Sequence, residues 1–406
     1  MKKLFLLTTL SLITSLALFS FIPESVLADG MVIEKIDPYS DRWDYSNESN
    51  QQAFINYTNG LQKMIISVGL EGKNRNGIIW LFPVPSNPEE VVIDVVKSLP
   101  GLRGEEISIK AKSNLGDILK FLQVTQIYTI PFIFPQILDL YETRGFVTSA
   151  AQEGIGMGIE PGIDVIIYEH LEKEGITSEI ITAKTAAGLY EYLKGKGLKI
   201  ESGSIPVLEH YIGKEYSFVV SWISPSKNII SEQRGIFVRF PTKNIYFPML
   251  PTSVYGSETV PITIRVINHV SPKIFKNIKN YTEIGYYIDN YVYFDDQLKN
   301  FYRGKNQDIK YTKIDINAPS EFLTEDLWIS NFSPIKTYYS TFVAKYPAIS
   351  AILLLIISSL ITGILAGKIA FPTLSKNISK LGFIGLSNCL SILGLLITTT
   401  FIQTKE

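Results

Sequence analysis

Three histidines, His170, His210 and His269, are the first candidates for proton transfer in this chain. An imidazole becomes a general base only beside a nucleophile and an orienting carboxylate. These three are far apart in sequence, and none sits in an H-E-x-x-H or H-x-H pattern. Glu169-His170 and Glu209-His210 are adjacent, but neighbours on a strand point to opposite faces. All three therefore read as ordinary surface or core residues. Acidic pairs stand at Glu89-Glu90, Glu105-Glu106, Asp295-Asp296 and Glu325-Asp326. Two carboxylates can do glycosidic acid–base work when folding sets them ~5 to 9 Å apart across a cleft. Residues 29–345 hold 37 acids, enough for some pairs to reach that spacing by chance. No calcium-loop pattern is present.

Other letter matches fail on context. Ser224-Pro225-Ser226-Lys227 spells S-x-x-K but follows a strand, contains proline and lacks the K-T-G partner, so it reads as a turn. Gly154-Ile155-Gly156-Met157-Gly158 lacks the Lys-Ser/Thr ending of a phosphate loop and misses the dinucleotide spacing. The single cysteine, Cys389, excludes an internal disulfide and any cysteine-cluster metal site. The motifs point to no catalytic, cofactor-binding or metal-binding residue.

Tyrosine is more suggestive. Seven fall between Tyr281 and Tyr311, and Tyr286, Tyr287, Tyr291 and Tyr293 form the densest group. A tyrosine ring packs while its hydroxyl bonds, which suits recognition of proteins or sugars. These four are the candidate binding surface. The competing reading is a tyrosine-faced sheet packed on the rest of the domain near a membrane.

The elements that must position these residues follow from composition and pattern. The chain has 406 residues, 46% hydrophobic and 19% charged, with net charge -1. That excludes a disordered tail protein and a strongly basic nucleic-acid binder. Lys2 and Lys3 followed by the uncharged run Leu4–Ile22 and Val26-Leu27-Ala28 predict a secretory signal over 1–28. An uncleaved anchor is the alternative. Near the other end, 346–367 and 381–402 are each 22 residues without a charge, beyond the ~20 a helix needs to cross a bilayer. The intervening 368–380 carries Lys368, Lys376 and Lys380 and no acid, which places it in the cytoplasm. A transmembrane hairpin results, in agreement with export of residues 29–345. Ser359, Gly363 and Gly367 give it a small-residue packing seam.

Residues 29–345 hold 32 basic and 37 acidic residues, a net charge of -5, which disfavours nucleic acid and anionic lipid. Asn59-Gly60 between two strand-like runs predicts a hairpin, and Gly77–Val84 a third strand, so a meander is expected to open the domain. Asn87, Pro88 and Glu90 predict a helix start before Val91, Val92, Val95 and Val96. Further helices are expected at 113–124, 185–194 and 205–212. Further strands are expected at 163–168, 178–182, 216–223, 235–240, 259–267 and 285–294. The uncharged segment 121–138, with Pro131 and Pro135, reads as buried or interfacial. The glycine-rich 145–162 divides the domain into 29–150 and 151–345. The fold class is α+β: a largely antiparallel, β-rich exported domain with several helices, followed by the membrane hairpin.

A family resemblance rests on several stretches: Asp29-Gly30-Met31; Gln52-Ala53-Phe54-Ile55 with Tyr57 and Gly60; Trp80-Leu81-Phe82-Pro83-Val84-Pro85-Ser86-Asn87-Pro88; Asp164-Val165; Leu189-Tyr190-Glu191-Tyr192-Leu193; and Tyr211 to Phe218. Together these resemble the exported prokaryotic proteins grouped as domain of unknown function 2330. The resemblance covers most of 29–270 and implies an exported, membrane-tethered domain. It implies no catalytic residues. The expected function is a non-enzymatic binding or scaffolding domain at the outer face of the cell membrane. Its partners are the lipid bilayer and a membrane or envelope protein, with no nucleic acid. The alternative is an envelope hydrolase using a carboxylate pair on glycan or peptide.

Overall fold

A computed structural model describes residues 32–35, 43–45, 51–68, 79–124, 165–195, 205–223, 234–290, 292, 295–303, 305 and 308–357. The expected signal segment 1–28, Tyr291, Tyr293, Ser359, Gly363, Gly367, most of 121–138 and all of 145–162 lie outside the described residues. The described residues begin with β1 (Val32–Lys35) and β2 (Trp43–Tyr45), then the hairpin β3 (Gln51–Thr58) and β4 (Leu61–Val68). Asn59 and Gly60 both have positive φ, 53° and 80°, as the tight two-residue turn of a right-twisted hairpin requires. Thr58 pairs directly with Leu61 across it.

β5 (Ile79–Val84) does not continue a meander. It pairs with β1 and with the distant β10 (Ser217–Ile223) in a different sheet from β3 and β4. A single 3₁₀ turn does form over Pro88–Glu90, with Pro88 opening it and no side-chain cap from Asn87. The expected helix stops there. Val92–Val96 is instead the strand β6, paired with β11 (Arg234–Pro241). Four of its five residues are β-branched, and their packing on a sheet outweighs one turn of capping signal.

The remaining elements are β7 (Glu105–Glu106), α1 (Ile107–Val124), β8 (Val165–Lys173), β9 (Ile176–Ala183), α2 (Ala186–Gly195) and α3 (Ile205–Glu209). After β10 and β11 come β12 (Ile245–Phe247), β13 (Ile262–Ile267), β14 (Ser271–Pro272), β15 (Thr282–Asp289), α4 (Lys299–Tyr302), β16 (Ile309–Ile316) and β17 (Leu327–Ser330). The described chain ends with α5 (Ile335–Lys345) and α6 (Pro347–Ile357).

The described strands form three sheets, in the orders β2-β1-β5-β10-β9-β8, β6-β11-β4-β3-β13-β16-β15-β7 and β12-β17-β14. Among the described strand pairs only β3 and β13 run parallel. The fold is thus α+β with mostly antiparallel sheets and several helices. Each large sheet joins strands from both sides of residues 145–162.

The strands alternate between two apolar environments. Trp80, Phe82 and Val84 of β5 face a central core shared with Ala53, Ile55, Met64 and Ile66 of the hairpin. Leu81 faces the other way, with Ile181, Phe218 and Val220, beneath Leu189 and Leu193 of α2. Phe54 and Ile65 turn outward beneath Phe301 and Tyr302 of α4. Sheets covered on both faces need apolar residues at successive positions, which is why Met64–Ile66 of β4 and Ile236–Val238 of β11 are uninterrupted hydrophobic runs rather than alternating ones.

Candidate functional site: buried carboxylates and an outward apolar helix

Of the four acidic pairs, Glu325-Asp326 is the one the fold splits most sharply. Asp326 is only 8% exposed, just ahead of β17, while Glu325 is exposed. The Asp326 carboxylate accepts from Tyr246 Oη at 2.9 Å, from Tyr211 Oη at 3.0 Å and from the Leu250 backbone N–H at 3.0 Å. Burial pushes this carboxyl above its usual range, against the opposing pull of its three donors. The same burial, reinforced by the carboxylate, pushes Tyr211 and Tyr246 well above the usual phenol range and Tyr216 up to about 12. The phenols therefore stay protonated and stay donors. Tyr246 also packs on Trp328, ring centroids 4.9 Å apart, and Tyr211 on Tyr216 at 5.1 Å. This cluster fastens the turn after α3 to the three-stranded sheet. Its carboxylate is engaged by donors and closed to water, so it does structural work.

Glu179 on β9 is a second buried acid, 1% exposed. Its partners are His170 Nδ1, directly across on β8 at 2.8 Å, and the Tyr192 hydroxyl from α2. The trio joins the edge strand β8 to its neighbour and to the covering helix. His170 thus pairs with Glu179 across the ladder, not with the adjacent Glu169. Burial raises Glu169 above the usual carboxylate range, and nearby Asp94 adds to that.

The other acidic pairs bond locally, except Asp295, whose partner Ser98 lies 197 residues away in the chain. Glu105 takes Lys110 and Glu106 takes the Ser108 hydroxyl. Asp295 accepts from Ser98 Oγ at 2.7 Å and Asp296 pairs with Lys299 at 2.6 Å. Glu89 and Glu90 are exposed on their turn. Among the described residues no three of His, Cys, Asp and Glu come together as a metal site.

Of the candidate tyrosines, Tyr286 and Tyr287 sit on β15. Tyr286 is buried, with His269 edge-on at 5.5 Å and Lys336 Nζ 5.4 Å over its ring. Tyr287 stacks flat on Tyr311 at 5.0 Å. Both rings are engaged in packing within the chain.

The open apolar surface lies elsewhere, on α5. Ile335, Tyr338 and Tyr339 are 73%, 65% and 66% exposed, and Phe342 and Tyr346 continue the row. Thr337 and Ala344, on the opposite face, are buried. That inner face meets α1, where Asn114 Nδ2 donates to the Val343 and Ala344 carbonyls at 3.1 and 3.2 Å. Ser333 Oγ donates to the His269 carbonyl at 2.8 Å and ties the start of the helix to the sheet.

After Lys345 the axis turns by 109° into α6. Pro347 explains the break: it lacks an N–H and forces Tyr346 out of helical geometry, to φ -127° and ψ 61°. Ile349, Ile352, Leu353 and Ile357 of α6 are exposed. Among the described residues no single helix is long and apolar enough to cross a membrane, whereas α5 and α6 taken together pass that test. The spacing of Ile335, Tyr338, Tyr339 and Phe342 was readable in the sequence; only the direction it faces needed the structure.

No family model matches the chain, and no curated protein matches it. Among solved structures, a mutated baculovirus P35 after caspase cleavage aligns at 11% identity over 69% of this chain and 98% of that one, with a TM-score of 0.28. A second structure of a mutated baculovirus P35 after caspase cleavage aligns at 11% identity over 67% and 98%, with a TM-score of 0.21. Overlaps this slight assign neither fold nor function.

Proposed function

We propose that residues 29–345 form an exported domain held at the outer face of a cell membrane by a C-terminal helical hairpin, 346–367 and 381–402, and that it binds or scaffolds an envelope or membrane protein there. The observation that carries the anchoring is α6: it opens the uncharged block 346–367 and leaves Ile349, Ile352, Leu353 and Ile357 between 42% and 57% exposed. Side chains of that kind in water would draw the protein into aggregates, and a bilayer is the environment that removes the cost. Membership of the exported family 2330 belongs to the same proposal, with Ser359, Gly363 and Gly367 as the seam of the hairpin.

The binding role is supported by how the titratable groups are used. The buried carboxylates Asp326 and Glu179 are held by tyrosine hydroxyls, a backbone N–H and a histidine inside the fold. The envelope-hydrolase alternative, which needs two carboxylates facing each other across a cleft, draws less support from such an arrangement. Crosslinking the full-length protein in its own membranes, with an unrelated two-span protein as control, tests the role. A specific co-purifying protein supports scaffolding. Turnover of a glycan or peptide by the purified protein, abolished by one carboxylate substitution, would overturn it.

A further inference from the structure

Helix α5 is amphipathic in reverse. Ile335, Tyr338, Tyr339 and Phe342 are spaced i, i+3, i+4, i+7, which is one face of a helix. In a water-soluble domain that stripe would turn inward. Here it is the exposed face, and the inward row is the small residues Thr337, Ser340, Thr341 and Ala344, at the same spacing. The orientation is pinned from inside by Asn114 on the last-turn carbonyls and by Ser333 Oγ donating to the His269 carbonyl at 2.8 Å. The apolar face is therefore built to point away from the domain.

Three features say what covers it. The stripe runs through Tyr346 into α6, the start of the uncharged block 346–367, so whatever surrounds α6 begins where α5 ends. The turn of 109° between them sets α5 roughly across the direction of α6; if α6 enters a bilayer, α5 lies along its surface. The composition also fits: two aromatic hydroxyls in tandem, flanking Ile and Phe, an exposed Lys345 in the last turn and no acid anywhere in 335–357. Tyrosine with snorkelling lysine is the chemistry of the headgroup–acyl boundary.

We propose that α5 is an in-plane membrane helix on the outer leaflet, seating Ile335, Tyr338, Tyr339 and Phe342 at the headgroup–acyl boundary of phospholipid. The inference rests on the anchoring proposed above and goes beyond it. A span alone would leave the domain free to tilt. A seated α5, tied to the sheet through Ser333 and Lys336, fixes which side of the domain faces the lipid.

The test uses full-length protein in phosphatidylcholine–phosphatidylglycerol vesicles, with Cys389→Ser and a single new cysteine carrying an environment-sensitive fluorophore. Tyr338→Cys and Tyr339→Cys report on the stripe, and Glu89→Cys on an exposed turn. At 338 and 339 the expected result is strong quenching by lipids carrying a nitroxide near the headgroup and loss of most quenching by aqueous iodide. Glu89 should behave the opposite way. Iodide access at 338 and 339 equal to that at Glu89, in protein that resists alkaline extraction from the vesicles, would overturn the seated helix and leave the anchor standing. Shielding from iodide without lipid quenching would also overturn it, in favour of a protein cover. Release of the protein by alkaline extraction would overturn both. Ile335→Glu/Tyr339→Glu provides a second readout: it should restore iodide access at 338 while thermal unfolding of the domain is unchanged, because neither side chain packs inward.

Discussion

Replacing Asp326 by alanine removes the one acceptor shared by Tyr211, Tyr246 and the Leu250 N–H. A buried donor left without a partner costs about 1–3 kcal/mol. Three such donors set an upper bound of about 9 kcal/mol on that scale. Two effects reduce it. The carboxylate's own desolvation, several kcal/mol in a buried setting, is relieved, and the two hydroxyls can rotate. A loss of about 3–5 kcal/mol is expected for Asp326→Ala, the range for breaking a buried charged network. Asp326→Asn should cost far less, about 1 kcal/mol, because one oxygen remains for the Leu250 N–H and a hydroxyl can turn to accept from the new amide.

Thermal and urea unfolding of the full-length protein in detergent, followed by tryptophan fluorescence, reads this difference; Trp328 packs against Tyr246 at a tilt and reports locally. The pH dependence gives an independent check. The folded carboxyl is raised above its ordinary 3.8, so its protonation favours the folded state. The stability this group adds is complete below 3.8 and is lost as pH rises through the higher folded value. The wild type should therefore gain on Asp326→Asn as pH falls through that window. Alanine and asparagine variants of equal stability, or a gain in the opposite direction, would refute the fastener account.

Three further outcomes follow from single positions. A Cβ on Gly104 would lie 2.6 Å from the Ile288 carbonyl oxygen, a backbone atom that cannot step aside, so Gly104→Ala should open the β7–β15 pairing at a cost of about 1–3 kcal/mol, read by urea unfolding. Gly60 has φ 80° in its turn, and Gly60→Val should lose about 1–2 kcal/mol, with faster amide exchange in β3 and β4 as the check. Burial holds His269 below its ordinary 6.5, so the stability it contributes is present above 6.5 and lost as pH falls through the lower folded value. An NMR titration midpoint for His269 below 6.5 is expected; a midpoint above it would contradict the buried placement.

What could be read from the sequence followed how local each signal is. Asn59-Gly60 settles its hairpin because the turn needs only those two residues. The 3₁₀ turn at Pro88 is equally local, but whether a helix continues from it depends on β11, more than a hundred residues later in the chain. A β-branched run cannot announce that partner. The same reason hid the place of β5, whose neighbour β10 is comparably far on. Among the acids, Glu325-Asp326 looked like any other pair. Its burial comes from Tyr211 and Tyr246, 115 and 80 residues away, so no spacing rule could find it. The tyrosine cluster near 286 was visible as composition, yet composition does not say whether rings face inward. On α5 the helical spacing was complete in the sequence and only its inversion was hidden, because sidedness is set by what α1 packs against.

The central claim is that the domain is exported and held by a hairpin whose loop lies inside. Single cysteines in a Cys389→Ser background, one at Lys112 and one at Ser375, test it in intact cells with a membrane-impermeant maleimide. The account predicts labelling at 112, none at 375 until the membrane is permeabilised, and a protein that stays with the membrane at alkaline pH. Labelling at 375 but not 112 in intact cells, or recovery of the protein in the soluble fraction, would contradict it.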